Sequence, residues 1–394
     1  MLTLMACIAY LAAEAASVLV VSCTNSLTEI DTETGTVTQN VASPGESPND
    51  ILWFQDHFFV VNSLSDDVTL QKFDPEGGWT VQSLGIGPGL NCWAALPVGG
   101  DTLAISCAAG NSIALVDASG MSLLGFVEGV GPNPEWFCVA EGRLYAACGG
   151  WLHDNKVVVV DLATLQPCDT IQVGFNCQGC TYDGVDEVYA ICTGTYSAWD
   201  GEVHVIEVET GTVTGVISAG FAPAFGVCRG DSLYVSDVYG NGIMLIDTET
   251  GTMVDPSLMP GGSGLAVDDQ GNLWVADSGA DRVSCYDHDH RLVSEYTVPM
   301  PFALGVSSSL HGIGPSQTPQ GTLSLYPSPA SATVRIVPGG AVSGVPTLFD
   351  LSGRELCRAV PTGEESWILD VSNVPMGVYV VVSGNCSSRL AVVR

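Results

Sequence analysis

Basic side chains are scarce: 11 Lys and Arg stand against 43 Asp and Glu, a formal charge of −32 over 394 residues. With no basic surface to displace phosphate counterions, nucleic-acid binding is excluded as a function class. Long apolar-periodic stretches of the kind that form helices are also missing, while 46 Gly and 21 Pro interrupt the chain at short intervals. What remains is an all-β chain of short strands joined by turns. The familiar catalytic signatures G-x-S-x-G, H-E-x-x-H and G-x-x-x-x-G-K are absent as well. The chain is not a disordered acidic tail, because 46% of its residues are hydrophobic and only 14% charged.

The first 17 residues form an apolar run that ends in small residues, with Ala13, Glu14 and Ala15 fitting an A-x-A cleavage site. Such a run reads as a secretory signal peptide, and it is too short to span a bilayer. Fourteen Cys agree with passage into an oxidising compartment.

A unit recurs along the chain. Its clearest copies are SLYVSDVYGNGIMLIDTETGTMV from Ser232 and NLWVADSGADRVSCYD from Asn272. The first apolar residue of the "LYV" strand falls at Leu19, Phe58, Leu103, Leu144, Val188, Leu233 and Leu273, at intervals of 39, 45, 41, 44, 45 and 40 residues. A third strand in each copy ends in an acid: Asp31, Asp74, Asp117, Asp161, Glu207, Asp247 and Asp287. These acids are expected to set turns by accepting nearby backbone N–H groups. The first copy lacks an inner strand, and an extra one follows the last copy near Phe302 to Val306. Pairing the two would close a ring and remove the exposed edges.

Seven copies of this size resemble the YVTN-type seven-bladed β-propellers, relatives of the NHL family, over residues 18–306. The resemblance implies a fold that hosts scaffolds, ligand-binding modules, lyases and lactonases, and so implies no single activity. After a Ser/Gly/Pro/Gln linker, 307–320, residues 321–394 change style. Tyr326, Pro327, Pro329 and Ala330, then Asp350, Gly353 and Arg354, then Leu369, Asp370, Pro375, Gly377, Val378 and Tyr379 follow in an order that resembles the type A C-terminal sorting domain of the type IX secretion system. Bottom-up, the same segment reads as a small immunoglobulin-like β-sandwich. The resemblance implies the secretion machinery and its sorting protease as partners, attachment to lipopolysaccharide, and a secreted or outer-membrane-surface location.

Aligning the copies places Cys92 opposite Cys107 and Cys177 opposite Cys192, so two hairpin disulfides are expected, with Cys357 and Cys386 as a third pair. Cys177 and Cys180 also spell C-x-x-C, here assigned to structure because the hairpin pairing already uses Cys177. The turn Asp287 to His290 is assigned to solvent rather than to a metal.

Candidate binding residues come from the alignment. Asp50, Trp93, Trp136, Gln178, Phe225, Leu265 and Leu304, one per copy, are expected to ring one mouth of the central channel. Loops after the second strands add Trp151, His153, Asp154, Tyr196, Trp199 and Tyr239. Aromatic rings beside acids stack on sugars or hold cationic and peptide side chains, and they also pack between blades. No cofactor is required; calcium is the candidate ion, held by Asp50, Asn62, Asp237 and Asp277. The leading expectation is a monomeric, exported propeller that binds a neutral or cationic ligand without chemistry. The alternatives are a lyase or lactonase using His153 or calcium, and a structural surface repeat.

Overall fold

The computed structural model describes residues 17–150, 152–237, 239–240 and 242–307, together with 321–326, 332–340, 345–349, 355–362, 366–375, 377–383 and 386–392. Residues 1–16, Trp151, residues 308–320, and Pro327, Pro329, Ala330, Asp350, Gly353 and Arg354 lie outside the described residues. The chain divides into two compact units, Met1–Gly314 and Pro315–Arg394.

The first unit holds seven four-stranded antiparallel sheets, here blades I to VII. Blade I joins 17–39 to 301–306; blades II to VII cover 48–84, 92–128, 134–172, 177–218, 223–259 and 264–297. Blade I is closed by the pairing of Ser17–Ser22 with Pro301–Val306, in the register Val18 to Val306 and Val20 to Leu304. The innermost strands of neighbouring blades touch in sequence around a complete circle, that of blade VII meeting Pro301–Val306 and Pro301–Val306 meeting Pro48–Phe54. The unit is a closed β-propeller.

Alternation of side chains explains why the second strands are apolar throughout. In Ser17–Ser22, Val18 and Val20 enter the core against blade VII, whereas Leu19 and Val21 enter the core against blade II. Each strand thus has two buried faces and no solvent face. Every interface between successive blades has a core of this kind. Fully buried Phe58, Phe59 and Phe73 each contribute roughly 2–3 kcal/mol by leaving water. The fourth strands, such as Thr80–Leu84 and Ser122–Glu128, are mostly exposed and finish each blade against solvent.

The acids at the ends of the third strands set turns. Asp31 Oδ1 accepts the N–H groups of Glu33 at 2.9 Å and Thr34 at 3.0 Å, and Asp161 Oδ1 those of Ala163 at 3.0 Å and Thr164 at 2.8 Å. Asp247 accepts from Thr250 N at 2.8 Å, and Asp287 accepts from Asp289 N at 2.9 Å and Arg291 N at 2.8 Å. These bonds hold the carboxyls of Asp31, Asp161 and Asp247 below their usual range.

Among its described residues the second unit has two four-stranded antiparallel sheets. Val334, Ile336, Leu348, Leu369, Val371, Tyr379 and Val381 are buried together in one core. Cys357 lies on one edge strand of a sheet, Glu355–Arg358, and Cys386 on the opposite edge strand, Cys386–Val392, with two strands between them. Three interstrand spacings of about 4.8 Å keep the pair well beyond the roughly 7 Å Cα limit of a disulfide. The third expected pairing is therefore not formed by this fold.

Candidate binding site at the channel mouth

Inner strands begin, and second strands end, at one end of the channel, which is the mouth. Left-handed residues fix this end: Ser47, Asn91, Asn133 and Asn176 have φ of 55°, 49°, 55° and 56° just before the inner strands of blades II to V. Short polar side chains tolerate this conformation. The carbonyls of Ser47, Asn91 and Asn176 accept N–H groups from Ser63, Ala108 and Thr193, tying each inner strand to the loop that follows its second strand.

Just inside the mouth every inner strand from II to VI carries a bulge. Pro48 opposes Asn62 but Asp50 opposes Val61; Cys92 opposes Cys107 but Ala95 opposes Ile105. The same slip separates Pro134 from Phe137, Cys177 from Gly179 and Pro223 from Phe225. Counted from the residue that opposes the end of each second strand, the expected ring does not keep one level. Asp50, Trp136, Gly179 and Phe225 occupy one level, and Trp93, Glu135 and Gln178 lie one residue earlier. The aromatic of blade I is Phe302 rather than Leu304, which is 7% exposed in the core between blades VII and I.

Trp93, Trp136, Phe225 and Phe302 form a continuous edge-to-face chain across the channel. Their successive ring centroids are 5.4, 4.4 and 6.0 Å apart with planes 82° to 87° from parallel. Each such pair is worth about 0.5–1.5 kcal/mol beyond burial. These four rings pack on one another across the channel, above a cavity of about 180 Å³ lined by the inner strands.

The loop aromatics behave differently. Trp199 is 61% exposed and Tyr239 is 73% exposed, although each borders another ring. Trp199 lies 5.7 Å from Phe221, and Tyr239 lies 6.4 Å from Tyr196, whose hydroxyl accepts a 3.0 Å hydrogen bond from Gln178 Nε2. The structure thus brings Tyr196, Trp199, Phe221 and Tyr239 onto the loops of blades V and VI. His153 is exposed, and Asp154 is paired with Lys156 at 2.7 Å. Phe221 escaped the sequence reading because it precedes an inner strand rather than following a second strand.

The four calcium candidates are not brought together. Asp50 Oδ2 accepts the N–H of Ala95 on the neighbouring blade at 2.9 Å, and Oδ1 that of Ile51 at 2.9 Å. Asn62, Asp237 and Asp277 end the second strands of three different blades. Asn62 donates to Val68 O at 2.9 Å and to Gln71 Oε1 at 3.0 Å. Asp237 caps the N–H groups of Phe221 and Ala222, both at 2.9 Å, and Asp277 pairs with Arg282 at 2.8 Å. Among the described residues no three His, Cys, Asp or Glu converge on one point.

Two carboxyls at the mouth carry raised pKa values. Burial pushes Asp50 up to about 6 against its two N–H bonds, and pushes Glu135 up to about 8 against one bond from Asn133. Glu135 is a feature that the sequence left unread: it lies one residue past Pro134, at a position the alignment did not single out.

Cys92 and Cys107 face each other with sulfurs 2.9 Å apart, and Cys177 faces Cys192 in the same register; all four are thiols in this structure. Burial pushes Cys180, the other half of the C-x-x-C, up to about 11, the condition of an inert thiol. In the turn at Asp287, His290 Nε2 meets the Tyr234 hydroxyl at 2.7 Å and belongs to the packing of blade VI on VII.

No protein-family model matches the chain, and no curated protein matches it. Solved structures do. A 6-phosphogluconolactonase-like protein of Bacteroides uniformis is 14% identical, with a TM-score of 0.60, over 74% of this chain and 99% of that one. Virginiamycin B lyase of Staphylococcus aureus is 12% identical, with a TM-score of 0.53, over 66% of this chain and 92% of its own. Hydrazine synthase of Kuenenia stuttgartiensis is 16% identical, with a TM-score of 0.56, over 66% and 89%. At such identities the likeness shows the fold alone: this chain is similar to β-propeller proteins of unlike activities.

Proposed function

We propose that the protein is a binding propeller that takes a glycan, peptide or cationic ligand on the aromatic loops of blades V and VI. The observation that carries this reading is the exposure of Trp199 and Tyr239, 61% and 73%, beside the partner rings Phe221 and Tyr196. Large rings held in water on ordered loops offer stacking area at little cost in conformational entropy.

The lyase or lactonase alternative has less support. His153 is exposed, the adjacent Asp154 is paired with Lys156, and no group of three His, Cys, Asp or Glu forms among the described residues. A general base needs a partner to orient it and a proton within hydrogen-bond reach. Export through the leader 1–17 and sorting through 321–394, with the secretion machinery, its protease and lipopolysaccharide as partners, are proposed on the sequence motifs alone.

Glycan and peptide arrays identify ligands, and fluorescence titration then compares variants. Trp199→Ala and Tyr239→Ala are each expected to weaken binding about tenfold, the loss of roughly 1.4 kcal/mol of stacking. Unchanged affinity in both variants defeats the site.

A further inference from the structure

We propose that the mouth contains a pocket for a primary ammonium group, formed by Glu135 and Asn133 of blade IV. The proposal rests on the binding reading above and names the chemical group that the ligand presents.

Glu135 is 4% exposed and Asn133 is fully buried. Asn133 Nδ2 donates to Glu135 Oε1, which consumes one oxygen of the carboxyl. With the carboxyl ionised, the remaining two oxygens, Glu135 Oε2 and Asn133 Oδ1, have no hydrogen-bond partner among the described residues. Buried acceptors are almost always satisfied, so two unsatisfied acceptors on residues already joined by a hydrogen bond leave a place for a donor. The neighbouring cation, Lys156, is committed to Asp154 at 2.7 Å.

The form of the vacancy selects among cations. A guanidinium seeks a carboxylate with both oxygens free, and here Asn133 holds one of them. Calcium takes six to eight oxygens, usually from several carboxylates, and Glu135 belongs to no group of three His, Cys, Asp or Glu among the described residues. An ammonium is a compact charge with three donors, two of which match Glu135 Oε2 and Asn133 Oδ1. The surroundings are aromatic. Trp136 follows Glu135 directly and contacts Trp93 edge-on, and the Tyr196 hydroxyl lies within electrostatic reach of the carboxyl. Ring faces stabilise a cation that has left water. Burial, which raises Glu135 to about 8, keeps the empty site protonated at neutral pH, so an arriving ammonium displaces that proton.

Calorimetric titration of the full chain with butylammonium, lysine amide and glucosamine, each beside a neutral counterpart (butanol, norleucine amide blocked at its α-amine, N-acetylglucosamine), tests the pocket. Ammonium probes are expected to bind at least about tenfold tighter than the neutral ones, and at pH 7 to release close to one proton per ligand, read from buffers of different ionisation enthalpy. The lysine and glucosamine arms distinguish a peptide from an amino-sugar source. Glu135→Gln should abolish the preference, whereas Trp199→Ala should weaken charged and neutral probes alike. A carboxyl NMR titration of unmutated protein provides a second reading, in which saturating butylammonium lowers the Glu135 pKa by about one unit or more. Equal affinity for charged and neutral probes, no binding of any probe, or an unmoved Glu135 titration overturns the pocket. Charged and neutral probes of equal affinity that both depend on Trp199 would overturn it while leaving the aromatic platform intact.

Discussion

Carboxyl groups of opposite character set the response to pH. Those of Asp31, Asp117, Asp161 and Asp247 accept turn hydrogen bonds and titrate below their ordinary range. Their contribution is present above the unfolded pKa and is lost as pH falls through the folded one. Glu135 and Asp50 titrate high, at about 8 and about 6, because burial disfavours their ionised forms. For these two the folded state holds the proton more tightly, so stability is greatest below the unfolded pKa and declines as pH rises through the folded value. The protein is therefore expected to be most stable in mild acid. Between about pH 5 and 8, Glu135 alone should impose a fall of up to roughly 1.4 kcal/mol per pH unit. Denaturant melts at several pH values check this, and Glu135→Gln should remove most of the slope above pH 6.

At the level of strands and turns, much of the fold was legible in the sequence. The alternation that buries both faces of 17–22 leaves apolar runs every forty-odd residues, and the acid ending each third strand marks the turn. What was not legible is the slip inside the inner strands. The level of a side chain is set by cross-strand register: Trp93 lies one residue past Cys92 and Trp136 two past Pro134, where Cys92 and Pro134 oppose the ends of their second strands. For the same reason Phe302 was passed over for Leu304, and Glu135 was not recognised as buried. The calcium set failed because second-strand ends recur once per blade and are spread around the ring. The hairpin thiols were legible, since direct cross-strand opposition depends only on local register. Oxidation should join Cys92 to Cys107 and Cys177 to Cys192, and mass spectrometry of peptides from unreduced protein should find both links. No intramolecular link between Cys357 and Cys386 should be found.

For the whole molecule, the ring depends on a pairing between its two ends. Ser17 N donates to Ser307 Oγ at 2.7 Å across 290 positions of sequence, and Ser17–Ser22 has Pro301–Val306 as its inner neighbour. A chain ending at Thr297 leaves the inner edge of Ser17–Ser22 open and uncovers the cores against blades II and VII. It should lose the single cooperative transition and aggregate, whereas a chain ending at Ser307 should keep the transition and stay in solution; calorimetry and light scattering distinguish the two. The closure also orders events in time. Ser17–Ser22 is among the first parts of the propeller to be made and must wait for residue 301 before it has an inner partner, so blade I begins first and finishes last. Bringing such distant segments together is entropically slow. Until then the partly made propeller is an open arc with two sticky ends, and in this interval a chaperone, or a second copy offering its own 301–306, competes for the unpaired strand.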